Sequence, residues 1–207
     1  MRYFFLVPAG RFHELILPAL AASWRHKALA PLVDLVRRKD SAVPATPYLG
    51  YEVQSMSLQV PNGIPFRHDL WRIFFAEALI SNAIEMPQIE TPLCTYAKLL
   101  GQELSEDRTT FVPIQRAVLG GRELTAGGGF YRPDAAGWND STDVEWLDTW
   151  LTQVNTSNWS ELSLDMSAEP GDGRSDELQF ALEWFPDLCG LYRRAHDIAA
   201  VVVTEEL

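Results

Sequence analysis

A short apolar run, Tyr3 to Val7, opens the chain and breaks at Pro8 and Gly10; apolar positions then recur at Phe12, Leu15, Ile16, Leu20 and Trp24. The run has the length and terminator of a buried strand, and the spacing after it is that of one helix face. A second helix is predicted over Pro31 to Arg38. Two prolines make Ser41 to Pro47 a loop, and the alternation from Tyr51 to Val60 reads as a strand ending at Pro61-Asn62-Gly63.

The stretch Phe66 to Gly101 sets ionisable side chains inside an otherwise apolar helix. It predicts a helix from about Asp69 to Glu85, stopped by Pro87 because the residue before proline avoids the helical region. Thr91-Pro92 then has the form of an N-cap with proline at the first helical position, starting a short helix to Leu100 with Gly101 as its end. Gly120-Gly121 between Thr110 to Leu119 and Arg122 to Thr125 reads as a two-residue hairpin, and Gly127-Gly128-Gly129 opens a loop. With Ser141 or Thr142 as cap, Val144, Leu147, Leu151 and Val154 form an amphipathic helix. Asn155 to Arg174 is polar and predicts a surface excursion. A helix from Ser175 towards His196, interrupted or restarted at Pro186, leads into a terminal strand Ile198 to Thr204. Strands at both ends imply a mixed α/β (α+β) fold, in which a small mixed sheet holding both terminal strands is packed by a central buried helix and several amphipathic helices.

Composition narrows the class. The 207 residues are 47% hydrophobic and 22% charged, with seven Trp, ten Phe and six Tyr; that suffices for a core and suggests one globular domain over 1–207. The formal charge of −11 is uneven. Residues 1–40 hold seven Lys/Arg against three acids, residues 41–133 seven against nine, and residues 134–207 three against sixteen. So acidic a C-terminal third repels phosphate backbones and argues against nucleic-acid binding, and Arg37, Arg38 and Lys39 read as a solvated helix end. No run approaches the ~18 apolar residues of a membrane span. Arg11, His13 and Glu14 interrupt the amino-terminal apolar run too early for a signal peptide. Two distant cysteines, Cys94 and Cys189, make no disulfide framework, so a soluble cytoplasmic protein is expected. The sequons at Asn139, Asn155 and Asn158 matter only in a secreted chain.

Candidate chemistry is sparse. On a helical wheel Glu77, Ser81 and Glu85 share one side and read as a solvent stripe, whereas Arg72 falls opposite among apolar positions, one turn after His68. A buried guanidinium cannot escape by deprotonation and must find an acceptor: Asp69 locally, or a distant carboxylate, backbone carbonyls or a bound anion. Arg72 and His68 are therefore the ligand-binding candidates. Cys94, three residues after the predicted cap, reads as a buried inert thiol, but joins His68 and Glu77 as a weak catalytic candidate. No metal-ligand spacing, phosphate loop or nucleophile elbow occurs, so no metal or cofactor is implied. Five tryptophans, Trp138, Trp146, Trp150, Trp159 and Trp184, fall in the acidic third. Trp146 and Trp150 with Asp143 and Glu145 are the candidates for meeting a protein partner with a basic surface. The preferred reading is a non-catalytic interaction or ligand-binding module. The alternative is a small hydrolase or transferase whose anionic substrate is held by Arg72.

Overall fold

The computed structural model describes residues 2–37, 65–126, 129–130, 136–159 and 174–205. The strand expected over Tyr51 to Val60, the loop and turn on either side of it, Arg38, Lys39, Tyr131, most of the polar stretch 155–174 and the side chain of Asp69 lie outside that set.

Strand β1 (Arg2–Pro8) carries apolar side chains on both faces, as a central strand must. It pairs antiparallel with the last strand, β7 (Ala200–Glu205), in a register that sets Phe5 opposite Val203 and Val7 opposite Val201. On its other side β1 meets β2 (Gln88–Ile89), and β7 pairs with β6 (Ala136–Asn139), which pairs with β3 (Arg122–Glu123). The sheet therefore runs β2-β1-β7-β6-β3, antiparallel throughout, with both ends of the chain at its centre. A separate pair, β4 (Thr125–Ala126) and β5 (Gly129–Phe130), stands beside it.

Because successive strand residues point to opposite faces, the sheet divides the core in two. Phe5, Val7, Val201 and Val203 face one cluster. It is closed by helix α1 at 9–26, α2 (Ala30–Arg37) and α3 (His68–Asn82). Helix α1 is wound as a π-helix over Phe12–Ile16, and Phe12, Ile16 and Leu20 all bury. Phe4, Leu6, Ala200 and Val202 face the second cluster, closed by α4 (Leu93–Leu99), α5 (Pro113–Leu119), α6 (Ser141–Gln153) and α7 (Arg174–Asp197). The mixed α/β fold with paired terminal strands and a buried helix, α3, is as the sequence predicts.

Several boundaries differ. Helix α3 ends at Asn82, because residues 84–89 are drawn alongside β1: the Ile84 N–H donates to Leu6 O at 2.8 Å, and Leu6 N–H and Phe4 N–H donate to Glu85 O and Pro87 O, each at 3.0 Å. The hairpin at Gly120-Gly121 does not form. Pro113 opens helix α5 instead, with Ile114, Ala117 and Val118 on its buried side, and Gly120 ends it at φ 78°. Helix α6 is capped by Asp140, one residue before the predicted caps. Its carboxylate accepts from the Asp143 N–H at 2.9 Å, and the Asp143 carboxylate accepts from the Asp140 N–H at 3.3 Å, a reciprocal capping box. Helix α7 continues through Pro186.

Candidate functional site

The charges of α3 sit opposite to the wheel reading. Glu77 and Ser81 are each only 5% exposed, and Arg72 is on the surface. The wheel assumes one wet face, but residues 74–82 of α3 are buried all the way round, so there is no solvent stripe for polar residues to occupy. An exposed Arg72 needs no internal acceptor, and the argument for an anion held there loses its physical premise. Glu85 lies beyond the helix and pairs with Arg194 of α7, its Oε1 accepting from Arg194 Nε at 2.7 Å.

The weak catalytic candidates are not brought together. His68 is exposed at the start of α3, its ring stacked on Trp71 at 5.9 Å and edge-on to Trp24 at 5.3 Å. Glu77 lies nine residues along the same helix, roughly 13 Å away at the usual rise. Cys94 is exposed rather than buried, and belongs to α4, across the sheet from α3. Cys189 sits seven residues before His196 on α7, ~10 Å along the axis and beyond hydrogen-bond reach. Burial also pushes the Cys189 thiol up to about 11. Among the described residues no group of three or more His, Cys, Asp or Glu side chains could hold a metal ion.

Buried cations occur at positions that no local sequence pattern marks. Arg108 is 9% exposed, and its Nη1 donates to Leu119 O at 2.8 Å and Gly120 O at 2.5 Å while Nη2 donates to Ala136 O at 3.3 Å. It thereby serves carbonyls at the C-terminal end of α5, where helix carbonyls have no partner of their own and a cation is favoured. The approach is close: a Cβ on Gly137 would stand 2.1 Å from Leu119 O. Arg2, 7% exposed, donates to Thr204 Oγ1 at 3.3 Å, and that hydroxyl donates to Val118 O at 2.9 Å. A third buried polar set centres on Asn139 and Tyr192, both fully buried. All three tie the sheet to α5, and they are structural rather than exposed to any ligand.

Helix α6 presents the most distinctive surface. Its core side is Val144, Leu147 and Leu151; Trp150 is half-buried, and Trp146 is 45% exposed. The Arg116 guanidinium approaches to 6.0 Å of the Trp146 ring, steadied by its own Nε donating to Phe111 O at 3.1 Å. The acids are less free than the sequence suggests. Asp143 accepts from Arg122 Nε at 2.9 Å, a bond that holds the guanidinium proton above its ordinary range, and Asp140 pairs with Nη2 of the same arginine. Asp148 faces His196 at 3.1 Å and Arg193 at 3.8 Å. Glu145 is exposed without a side-chain partner among the described residues. Trp159, by contrast, is 2% exposed and packs on Phe185 at 4.8 Å, so it belongs to the core.

No described helix is long and apolar enough to cross a membrane. Comparison of the chain with protein-family models, with curated proteins and with solved structures finds no match.

Proposed function

We propose that this chain is a non-catalytic binding module that meets a partner protein through the outer surface of α6. The observation that carries the reading is Trp146, 45% exposed on a helix pinned from behind by Val144, Leu147 and Leu151. A single exposed aromatic is ordinary. This one stands beside half-buried Trp150 and under Arg116, and tryptophan and arginine are the side chains most enriched among those that dominate interface energies. With Asp143 and Asp148 neutralised inside the molecule, Glu145 is the acid left for a partner. The sixteen acids of residues 134–207 add a longer-range field that favours a basic partner surface and disfavours nucleic acid. Free thiols at Cys94 and Cys189 support a cytoplasmic setting. An enzyme with an anionic substrate at Arg72 draws no support from these positions, since His68 and Glu77 stand roughly 13 Å apart along α3 and Cys94 lies across the sheet from both.

The test immobilises the intact chain and a Trp146→Ser variant side by side against native lysate, at low and raised salt. A partner of this kind is captured by the intact chain, released by salt, and lost by the variant with a drop of ~10-fold or more in affinity. Equal capture by both overturns the reading.

A further inference from the structure

Segment 84–89 and helix α7 leave a cleft of about 290 Å3 between them. That is at the lower end of ordinary small-ligand sites, ~300–1,000 Å3. Leu6, Ile89 and Leu191 form its apolar floor, and Glu85, Asp187 and Arg194 stand at its rim. The Glu85–Arg194 pair closes one end at 2.7 Å, its side chains 40% and 50% exposed. Asp187 is exposed and has no ion-pair or hydrogen-bond partner among the described residues. The rim therefore carries a net charge of −1, with the unspent charge on Asp187.

Gly190 supplies the second observation. It lies inside α7, where glycine weakens a helix relative to alanine, and the usual compensation is a close approach that forbids a side chain. Here a Cβ would meet nothing within 4 Å. What the glycine gives the fold is the open space of the cleft that it lines.

We propose that this cleft binds a small amphipathic cation: a primary ammonium group on a compact apolar body. The ammonium is accepted by Asp187, and the apolar body covers Leu6, Ile89 and Leu191. Arg194, neutralised by Glu85, does not oppose the cation. Recognition combines one charge-assisted hydrogen bond with burial of a few carbons, which places a fragment-sized ligand on the order of 1 mM.

The test titrates the full chain with isoamylamine and, separately, with isocaproate, which has the same branched body and opposite charge. Backbone amide resonances of 84–89 and 187–194 report binding. Isoamylamine shifts these resonances saturably and isocaproate does not. Asp187→Asn weakens the amine by about 10-fold. Gly190→Leu abolishes binding by filling the cleft, and its unchanged amide spectrum elsewhere shows that it folds. The proposal is overturned by no saturable shift with the amine, by equal binding of isocaproate, or by amine binding that survives both substitutions.

Discussion

Asn139 is the side chain on which the junction of β6, α5 and α7 turns. Its Oδ1 accepts from the Gly121 N–H at 2.7 Å, and its Nδ2 donates to Arg116 O and to the Tyr192 hydroxyl, each at 2.8 Å. That hydroxyl in turn donates to Ala117 O at 2.8 Å. Asn139→Ala removes three hydrogen bonds at ~1 kcal/mol each, and strands acceptors at a site where Asn139 and Tyr192 are both fully buried. The half-buried Gly121 N–H recovers part of its loss from water, so the net cost is about 3 to 4 kcal/mol, a large share of a typical total of ~5–15 kcal/mol. Tyr192→Phe deletes two of the bonds and costs about 1 to 2 kcal/mol. The two substitutions share one bond, so the double variant loses less than their sum by about 1 kcal/mol. Urea unfolding of the four proteins, read by circular dichroism, gives each term and the coupling. Asn139→Asp adds a pH signature. A carboxyl buried beside the Arg116 carbonyl has its folded pKa raised, so the variant is most stable where the acid is protonated and loses stability as pH rises above ~4. A cost below about 1 kcal/mol for Asn139→Ala, or zero coupling, refutes the network.

Three further outcomes follow from particular side chains. Tyr96 is fully buried and its hydroxyl has no hydrogen-bond partner among the described residues, so Tyr96→Phe leaves stability unchanged or raises it by up to ~1 kcal/mol in the same urea assay; a loss of ~1 kcal/mol or more means the hydroxyl is bonded. Cys94 is exposed, whereas the Cys189 thiol is raised from 9.0 to about 11, so at pH 7 Cys189 alkylates slower by at least ~100-fold, and Cys94→Ser removes the fast phase. Because the fold prefers the neutral Cys189 thiol, its stabilising effect is whole below about pH 9 and fades through about 11. Gly190→Ala raises stability by about 1 kcal/mol, since the added methyl meets no atom within 4 Å; destabilisation would mean that the helix there is not regular.

The ends of the chain were legible for a reason that the middle was not. Residues 3–7 and 198–203 are apolar without interruption and bounded by breakers or turns, and a strand buried on both faces needs nothing else. Helix α6 announces itself through Val144, Leu147 and Leu151, and its start was misplaced by one residue only because three adjacent residues, Asp140, Ser141 and Thr142, are all good caps. The segment before Gly120 misled because a glycine pair serves equally as a hairpin turn and as a helix terminator. What separates the two is Pro113, which suits the first turn of a helix and would interrupt a strand ladder.

Helix α3 failed for a deeper reason. A wheel sorts residues by angle, and the sorting becomes burial only when one face is known to be wet; a helix enclosed on every side has no such face. The question of which charge the fold buries was right, but its answers lie at positions no local pattern marks. Arg108 follows the acidic loop Ser105-Glu106-Asp107 and reads as surface, yet it reaches carbonyls 11, 12 and 28 residues further on. Arg2 meets Thr204 across 202 residues. Glu85 meets Arg194 across 109. The last two pairings exist because β1 and β7 lie side by side, which brings the residues flanking them into range. The same geometry explains why the cleft was invisible. Its floor and rim come from β1, from the segment after α3, and from one turn either side of Gly190, three stretches that share no motif and acquire a common surface only when the sheet forms.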